Sequence, residues 1–159
     1  MVRRLAVRWI VFAATGLLLS ACASITDPDR LDGAAQDLAV NLRRWRDHGY
    51  VDYDYVVSNQ CFCVLGGVPV RVVVRGNQVV SALYASTGQP LAANVAGWYG
   101  TIEGLFAMID RAIAARAASI RASYDQALGY PADVFVDYVT NAADEEAGFR
   151  VTSLTPVER

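Results

Sequence analysis

The 159-residue sequence contains no lysine and a single histidine, His48. Its 14 basic residues are therefore all arginines, and 16 acidic residues outnumber them. An acidic chain without a cluster of basic residues argues against nucleic acid as a partner, because phosphate binding needs several positive charges on one face. With His48 as the sole imidazole, a Ser-His-Asp catalytic arrangement is not expected either.

Sequence motifs of the common enzyme classes are also missing. No serine lies in a Gly-x-Ser-x-Gly nucleophile elbow, and no glycine-rich phosphate loop or dinucleotide fingerprint occurs. The Cys-x-x-Cys motif of thiol-disulfide enzymes is absent as well. We therefore expect a protein without catalytic activity and without a bound cofactor.

The N-terminal apolar run, Trp9 to Leu19, has only 11 residues. A membrane-spanning helix needs about 20 apolar residues, so this run is too short to cross a bilayer. It follows a basic start with Arg3, Arg4 and Arg8 and precedes small residues, which is the arrangement of a secretory signal peptide.

The residues that end this run, Leu19-Ser20-Ala21-Cys22, resemble the bacterial lipobox. The resemblance implies that Cys22 becomes the acylated N-terminus after residues 1–21 are removed. The alternative is an ordinary signal peptide with a chance cysteine. Because Ala23 and not Asp follows Cys22, the pattern resembles that of lipoproteins sorted to the outer membrane, where the protein would face the periplasm. In a one-membrane bacterium the same anchor would hold it on the outer face of the cell membrane.

Removal of residues 1–21 leaves an acidic chain with a short tether. The remaining residues comprise 11 arginines and 16 acidic residues, a net charge of −5. Residues 22–30 are predicted to be the lipidated cysteine and its tether, and residues 31–159 a single extracytoplasmic domain.

Hydrophobic periodicity predicts two helices in this domain. Apolar residues recur three or four positions apart over residues 31–48, the spacing of an amphipathic helix. Thr101 is placed to cap a second helix that extends to about Ser119, with Glu103 in its first turn.

Alternating apolar and polar residues predict six strands. "DYDYVVS" is the first, and "VPVRVVVRGNQVVSALYA" forms a hairpin with a tight turn at Gly76-Asn77. Residues 86–100 are predicted to be a loop, and three more strands lie in "IRASYDQ", "DVFVDYV" and "FRVTSLT". The order helix, three strands, helix, three strands favours an α+β domain with a mainly antiparallel sheet packed by helices.

A set of short motifs is spread over about residues 40–155: Trp45, Tyr53-Asp54-Tyr55, Cys61-Phe62-Cys63, Val70-Arg71-Val72, Thr101-Ile102, Leu105-Phe106, Tyr124-Asp125, Gly129-Tyr130-Pro131, Asp137 and Ala143-Asp144-Glu145-Glu146. Together they resemble a family of secreted bacterial lipoproteins catalogued as a domain of unknown function. The resemblance implies one small extracytoplasmic domain and carries no activity with it.

Cys61 and Cys63 are the two cysteines that remain if Cys22 is acylated. An oxidising compartment favours a disulfide between them. In an extended strand, however, their Cα atoms would lie about 6.6 Å apart, at the edge of what a disulfide tolerates. A local turn is therefore required, and we expect a strained bond. The alternatives are two thiols without a role, or a thiol-redox or copper site, for which His48 offers no obvious additional ligand.

Two further segments are candidate binding sites. Trp98 and Tyr99 lie in the glycine-flanked "AGWYG". Either the two rings are presented to an envelope protein or glycan, or Trp98 packs against the second helix.

The acidic run Asp144-Glu145-Glu146 offers oxygen ligands for Ca²⁺, although its spacing does not match an EF-hand and a solvated surface is the simpler interpretation. We therefore predict no metal site. The expected role is a lipid-anchored, non-catalytic binding or structural module of the cell envelope.

Overall fold

A computed structural model describes residues 28–140 and 146–157. The predicted signal peptide, Cys22 and most of the acidic run lie outside these residues. The helices are α1 (Pro28–His48), α2 (Ala93–Ala96) and α3 (Ile102–Ala114). The strands are β1 (Tyr53–Asn59), β2 (Val70–Arg75), β3 (Gln78–Tyr84), β4 (Ser119–Tyr124), β5 (Pro131–Asp137) and β6 (Glu146–Pro156).

The six strands form one antiparallel sheet in the order β3-β2-β1-β6-β5-β4. Each half of the sheet is a three-stranded meander, and the two meanders join where β1 pairs with β6. The predicted hairpin is confirmed, with β2 and β3 joined at Gly76 and Asn77. Both turn residues have positive φ angles, 57° and 61°, as a two-residue hairpin turn of type I′ requires.

The α+β class and the antiparallel sheet are confirmed, but the predicted order of elements is not matched exactly. The short helix α2 forms inside the segment 86–100 that the sequence predicts as a loop. Moreover, α3 ends at Ala114, earlier than predicted. Its end is closed by Arg116 at a φ of 53°, with the Ala117 N–H donating to the Ala112 carbonyl over 3.0 Å. This is a Schellman motif, and it was missed because arginine takes the place usually held by glycine.

The core lies between one face of the sheet and the two long helices. Tyr53, Tyr55 and Val57 of β1 are buried, and they pair in register with alternate valines of β2. Leu38 and Trp45 of α1 pack into the same core, as the predicted helix stripe requires. Within the described residues, no helix is both long and apolar enough to cross a membrane.

The opposite face of the sheet carries paired charges. Asp54 accepts hydrogen bonds from Arg71 and from Arg75, the latter over 2.8 Å. Farther along the same face, Asp133 pairs with Arg150. This face is therefore stabilised by its own ion pairs and is not covered by either long helix.

Candidate binding cleft

Cys61 and Cys63 lie in the loop that joins β1 to β2, residues 60–69, which we call the Cys-Phe-Cys loop. In the structure their sulfur atoms are joined, and their Cα atoms are 5.3 Å apart. This distance lies within the ordinary range for disulfides, because the chain turns here instead of continuing as a strand. The Gly66 N–H donates to the Cys63 carbonyl over 3.0 Å and closes that turn.

The backbone of the Cys-Phe-Cys loop is held at both of its ends. The Gln60 N–H donates to the Gly148 carbonyl of β6, and the Gly67 N–H donates back to the Asn59 carbonyl, each over 2.8 Å. A Cβ atom at Gly66 would lie 2.4 Å from the Cys61 carbonyl oxygen, so this position accepts only glycine without a rearrangement. The loop is therefore a fixed structural feature of the sheet's end.

This fixed loop presents apolar side chains to solvent. Phe62, between the two bonded cysteines, is fully exposed, and Val64 is largely exposed. Leu65, by contrast, packs partly against the core. A partner that covered the Phe62 ring would remove it from water, which contributes about 1.5–3 kcal/mol for a fully buried ring.

Trp98 and Tyr99 point to opposite sides of the chain. Trp98 is 53% exposed, whereas Tyr99 is only 5% exposed and belongs to the core. Tyr99, and not Trp98, is therefore the aromatic residue of this segment that belongs to the core. Only Trp98 belongs to a candidate binding surface. Burial raises the pKa of the Tyr99 hydroxyl, which has no hydrogen-bond partner among the described residues.

Cys61 and Trp98 line one cleft of about 450 Å³. The wall of the cleft is formed by Leu105 and Met108 of α3, with Phe149 of β6. Volumes of this order accommodate a side chain or a small ligand. The structure thus brings together two of the segments that the sequence singled out separately.

Arg111, in the last turn of α3, adds a positive charge to this mainly apolar cleft. Over residues 28–140 and 146–157, its guanidinium makes no ion pair and no hydrogen bond with an acidic side chain. The arginines on the open face of the sheet differ, since Arg71, Arg75 and Arg150 each contact an aspartate. Arg111 is therefore available to an anionic group that enters the cleft.

A network of hydrogen bonds fixes the start of α3, which forms one side of the cleft. The Trp45 indole donates to one Glu103 oxygen over 2.8 Å, and the Tyr53 hydroxyl donates to the other over 3.2 Å. The Tyr53 oxygen in turn accepts from the Ile102 N–H over 2.9 Å. Burial, with the charge of Glu103, raises the pKa of the Tyr53 hydroxyl.

Two further contacts hold the segment next to Trp98. The Tyr55 hydroxyl donates to the Gly100 carbonyl over 2.5 Å, and burial raises the pKa of this hydroxyl too. Thr101 caps α3 as predicted, its hydroxyl accepting from the Gly104 N–H over 3.3 Å. Trp98 is therefore flanked by backbone whose position the core dictates.

A second hollow, of about 380 Å³, lies on the open face of the sheet between β4 and β6. Its polar groups satisfy one another: Asp133 accepts from Arg150 over 2.8 Å and from Gln60 over 3.1 Å. The Arg121 guanidinium lies 4.6 Å from the centre of the Phe135 ring. Because its acidic group is already paired, this hollow is a weaker candidate for a binding site than the cleft.

The other residues that the sequence singled out do not join the cleft. The His48 ring stacks on Tyr50 and its Nε2 contacts the Ala127 carbonyl at 3.3 Å, so its place is structural. Asp137 accepts a hydrogen bond from the Val139 N–H at the end of β5. Glu146 is the first residue of β6 and is exposed.

The part of the chain outside the described residues includes Asn141, Asp144, Glu145 and Cys22. Within the described part of the chain, no three His, Cys, Asp or Glu side chains group as metal ligands do.

Sequence reasoning missed Met108, Arg111 and Phe149 as cleft residues. Leu105 packs partly against the core and also lines the cleft. The available signal was that Leu105, Met108 and Arg111 recur at spacings of three along one helix, which places them on one face. Only the pairing of β6 with β1 brings Phe149 beside that face.

Comparison with known proteins gives a family but no activity. No curated protein matches the chain. The model of the family described as "Family of unknown function (DUF6174)" matches residues 37–156, which is most of the chain and nearly all of the described fold. The chain belongs to this family of unknown function, DUF6174.

Proposed function

We propose that this protein is a lipid-anchored module of the bacterial cell envelope that binds a partner without catalysis, through the cleft beside the Cys-Phe-Cys loop. The observation that carries the proposal is the exposure of Phe62 and Trp98 on backbone segments that hydrogen bonds hold in place. Exposed aromatic rings on rigid supports lose little conformational entropy when a partner covers them.

The residues in and beside the cleft have the composition of a protein interface. Aromatic residues, methionine and arginine are enriched at such interfaces, whereas lysine, glutamate and aspartate are depleted there. Trp98, Met108 and Arg111 line the cleft, and it has no acidic lining residue among those described. A protein partner therefore fits this surface better than a glycan, whose hydroxyl groups need more hydrogen-bonding side chains than the cleft offers.

The proposed anchor places the partner close to a membrane. Each buried CH₂ of an acyl chain contributes about 0.8 kcal/mol, and two or more chains give a firm anchor. Because α1 already begins at Pro28, the tether predicted as residues 22–30 is shortened to Ala23 to Asp27, which span at most roughly 17 Å at about 3.3 Å per residue. A domain on such a tether meets membrane-bound or membrane-proximal envelope proteins first.

The anchor is tested by metabolic labelling with palmitate. We expect the wild-type chain to incorporate labelled palmitate and to sediment with membranes, and the Cys22→Ala variant to incorporate none. The Cys61→Ser variant is the matched control, because it removes a cysteine but leaves the lipobox. Equal labelling of the wild type and of Cys22→Ala would refute the lipid anchor.

Binding through the cleft is tested with a photoreactive amino acid in living cells. We expect p-benzoylphenylalanine in place of Phe62 to give one discrete crosslinked product, and the same group in place of Val40 to give none. Val40 is a suitable control because it is also exposed and apolar but belongs to α1, whereas Phe62 lies beside the cleft, next to the lining residue Cys61. Identical products from the two positions would contradict binding through the cleft.

Copper handling is a second candidate, favoured by the presence of both Cys61 and Met108 in the lining of the cleft. Thiolates and thioethers are preferred ligands of Cu(I). A dithiol reductant would first have to reduce the disulfide, with the dithiol oxidised to its own disulfide and two thiols released. The two candidates differ in the redox state of Cys61 and Cys63 when residues 23–159 are purified from a periplasm. Intact mass and thiol alkylation, each measured before and after reduction, distinguish a disulfide from two free thiols. Thiols that alkylate without reduction, and that Cu(I) protects, would favour this candidate over the first.

A further inference from the structure

We infer that the cleft accepts an extended peptide segment of a partner protein, which places an apolar side chain between Trp98 and Met108 and a carboxylate against Arg111. This inference rests on the proposed binding function and adds the chemistry of the ligand. It requires two recognition elements in one cleft, one apolar and one cationic.

The apolar element is the part of the cleft that Trp98, Leu105, Met108 and Phe149 line. A thioether beside aromatic rings adapts to side chains of different shapes and makes favourable contacts with them. The volume of about 450 Å³ has room for one large side chain together with the adjoining backbone. An apolar side chain of the partner is therefore the expected occupant of this part.

The cationic element is Arg111. In a mature chain with more acidic than basic residues, the general field repels an acidic partner, so a positive charge inside an apolar cleft provides local selectivity. The guanidinium is planar and matches a carboxylate with two parallel N–H groups, which makes it suited to a carboxylate ligand. Because Arg111 has no acidic partner among the described residues, a ligand carboxylate would not have to displace one there.

The two elements belong to one helix face. Met108 and Arg111 are three residues apart on α3, so their side chains are neighbours along that face. In an extended peptide, side chains two positions apart point to the same side, about 6.6 Å from each other. A peptide that fills the apolar part with one side chain therefore brings an acidic side chain two positions along within reach of Arg111. Phenylalanine and glutamate separated by one small residue, as in Phe-Ala-Glu, form the simplest segment with this property.

The test uses two blocked tripeptides that differ only in charge, acetyl-Phe-Ala-Glu-amide and acetyl-Phe-Ala-Gln-amide. The protein is residues 23–159, which contain every element of the described fold and two tryptophans, Trp45 and Trp98. Indole N–H signals in NMR titrations report binding, with Trp98 as the reporter and the buried Trp45 as the internal reference. We expect the Glu peptide to shift the Trp98 signal and the Gln peptide to bind about two- to fivefold more weakly, the range of an exposed ion pair.

Arg111→Gln completes the test. Arg111 is exposed on α3, so this substitution leaves the core unchanged, and we expect it to give both peptides the same weaker affinity. Three outcomes would each overturn the inference. The wild type could bind the Glu and Gln peptides with equal affinity, the Arg111→Gln variant could still bind them with different affinities, or neither peptide could shift the Trp98 signal. If these results accompany a discrete crosslink at position 62, the binding proposal stands and only the ligand chemistry is wrong. If the crosslink is also absent, both fail.

Discussion

The indole of Trp45 in α1 donates a 2.8 Å hydrogen bond to Glu103 at the start of α3, although 58 residues separate the two in the chain. Trp45 is almost fully buried, and its ring lies edge-on to that of Tyr53, which donates to the same carboxylate. One acidic side chain thus links α1, β1 and α3. The motif residues Trp45 and Tyr53 have a structural explanation in this network, because they position the helix that forms one side of the cleft.

Removal of the Glu103 carboxylate should destabilise the fold. Glu103→Ala leaves the buried Trp45 indole N–H without an acceptor, and an unsatisfied buried group costs about 1–3 kcal/mol. Glu103→Gln should lose less, since its amide carbonyl still accepts one hydrogen bond. Urea denaturation measures both effects. Asp110→Ala, on the exposed face of the same helix, is the control and should change stability by less than about 0.5 kcal/mol. A loss in Glu103→Ala no larger than in this control would argue against the network.

Asp54 should make stability sensitive to acid. Burial alone would raise the pKa of this carboxyl, but the hydrogen bonds and charges of Arg71 and Arg75 outweigh it and lower the pKa below the ordinary value of 3.8. The carboxylate therefore contributes stability that is fully present above about pH 4 and is lost as the pH falls through the lowered pKa. Asp54→Asn should be less stable than the wild type at pH 7, and the difference should shrink below pH 4. A difference that is constant from pH 7 to pH 2.5 would contradict this interpretation.

A methyl group at Gly66 should disturb the Cys-Phe-Cys loop. Its Cβ would lie 2.4 Å from the Cys61 carbonyl oxygen, a backbone atom that the adjacent disulfide restrains. We expect Gly66→Ala to destabilise the protein by about 1–3 kcal/mol, as overpacking does. Gly33→Ala, in exposed α1 with no atom within 4 Å of the new Cβ, should stabilise it by about 0.5–1 kcal/mol. The melting temperatures of the two variants are measured by thermal unfolding, with circular dichroism as the signal. Equal melting temperatures for Gly66→Ala and Gly33→Ala would refute the steric argument.

Loss of the disulfide should leave the domain folded. The bond closes a ring between residues only two apart, so the entropy it removes from the unfolded chain is small, equivalent to about 1.5 kcal/mol at most. The double substitution of Cys61→Ser and Cys63→Ser should therefore retain the native circular dichroism spectrum and a cooperative transition. Reduced wild-type protein should behave in the same way. A double variant that fails to fold would assign the disulfide a larger role in stability than its ring size allows.

Much of the fold was predictable because its elements carry local signals. The alternating residues of β1 and β2 and the Gly76-Asn77 turn specify a hairpin through the side-chain period and the need for positive φ angles. The stripe of α1 was confirmed at Leu38 and Trp45. The end of α3 was misplaced because Arg116 adopts the left-handed conformation without a glycine to mark it. For α2, four residues are too few for a periodic pattern.

The sequence by itself marked Cys61 and Trp98 as candidate site residues, and only the tertiary structure decided that they line one cleft and which other residues line it with them. Cys61 and Trp98 attract attention as residue types, since paired cysteines and a glycine-flanked aromatic pair are recognisable in a bare sequence. Their meeting in one cleft with Met108 and Arg111 depends on the pairing of β1 with β6 and on the packing of α3 against the sheet. The same packing turned Tyr99 into the core and left Trp98 exposed. Neighbouring aromatic residues carry equal hydrophobic signals, and which of them is buried follows from contacts between segments that are distant in the chain.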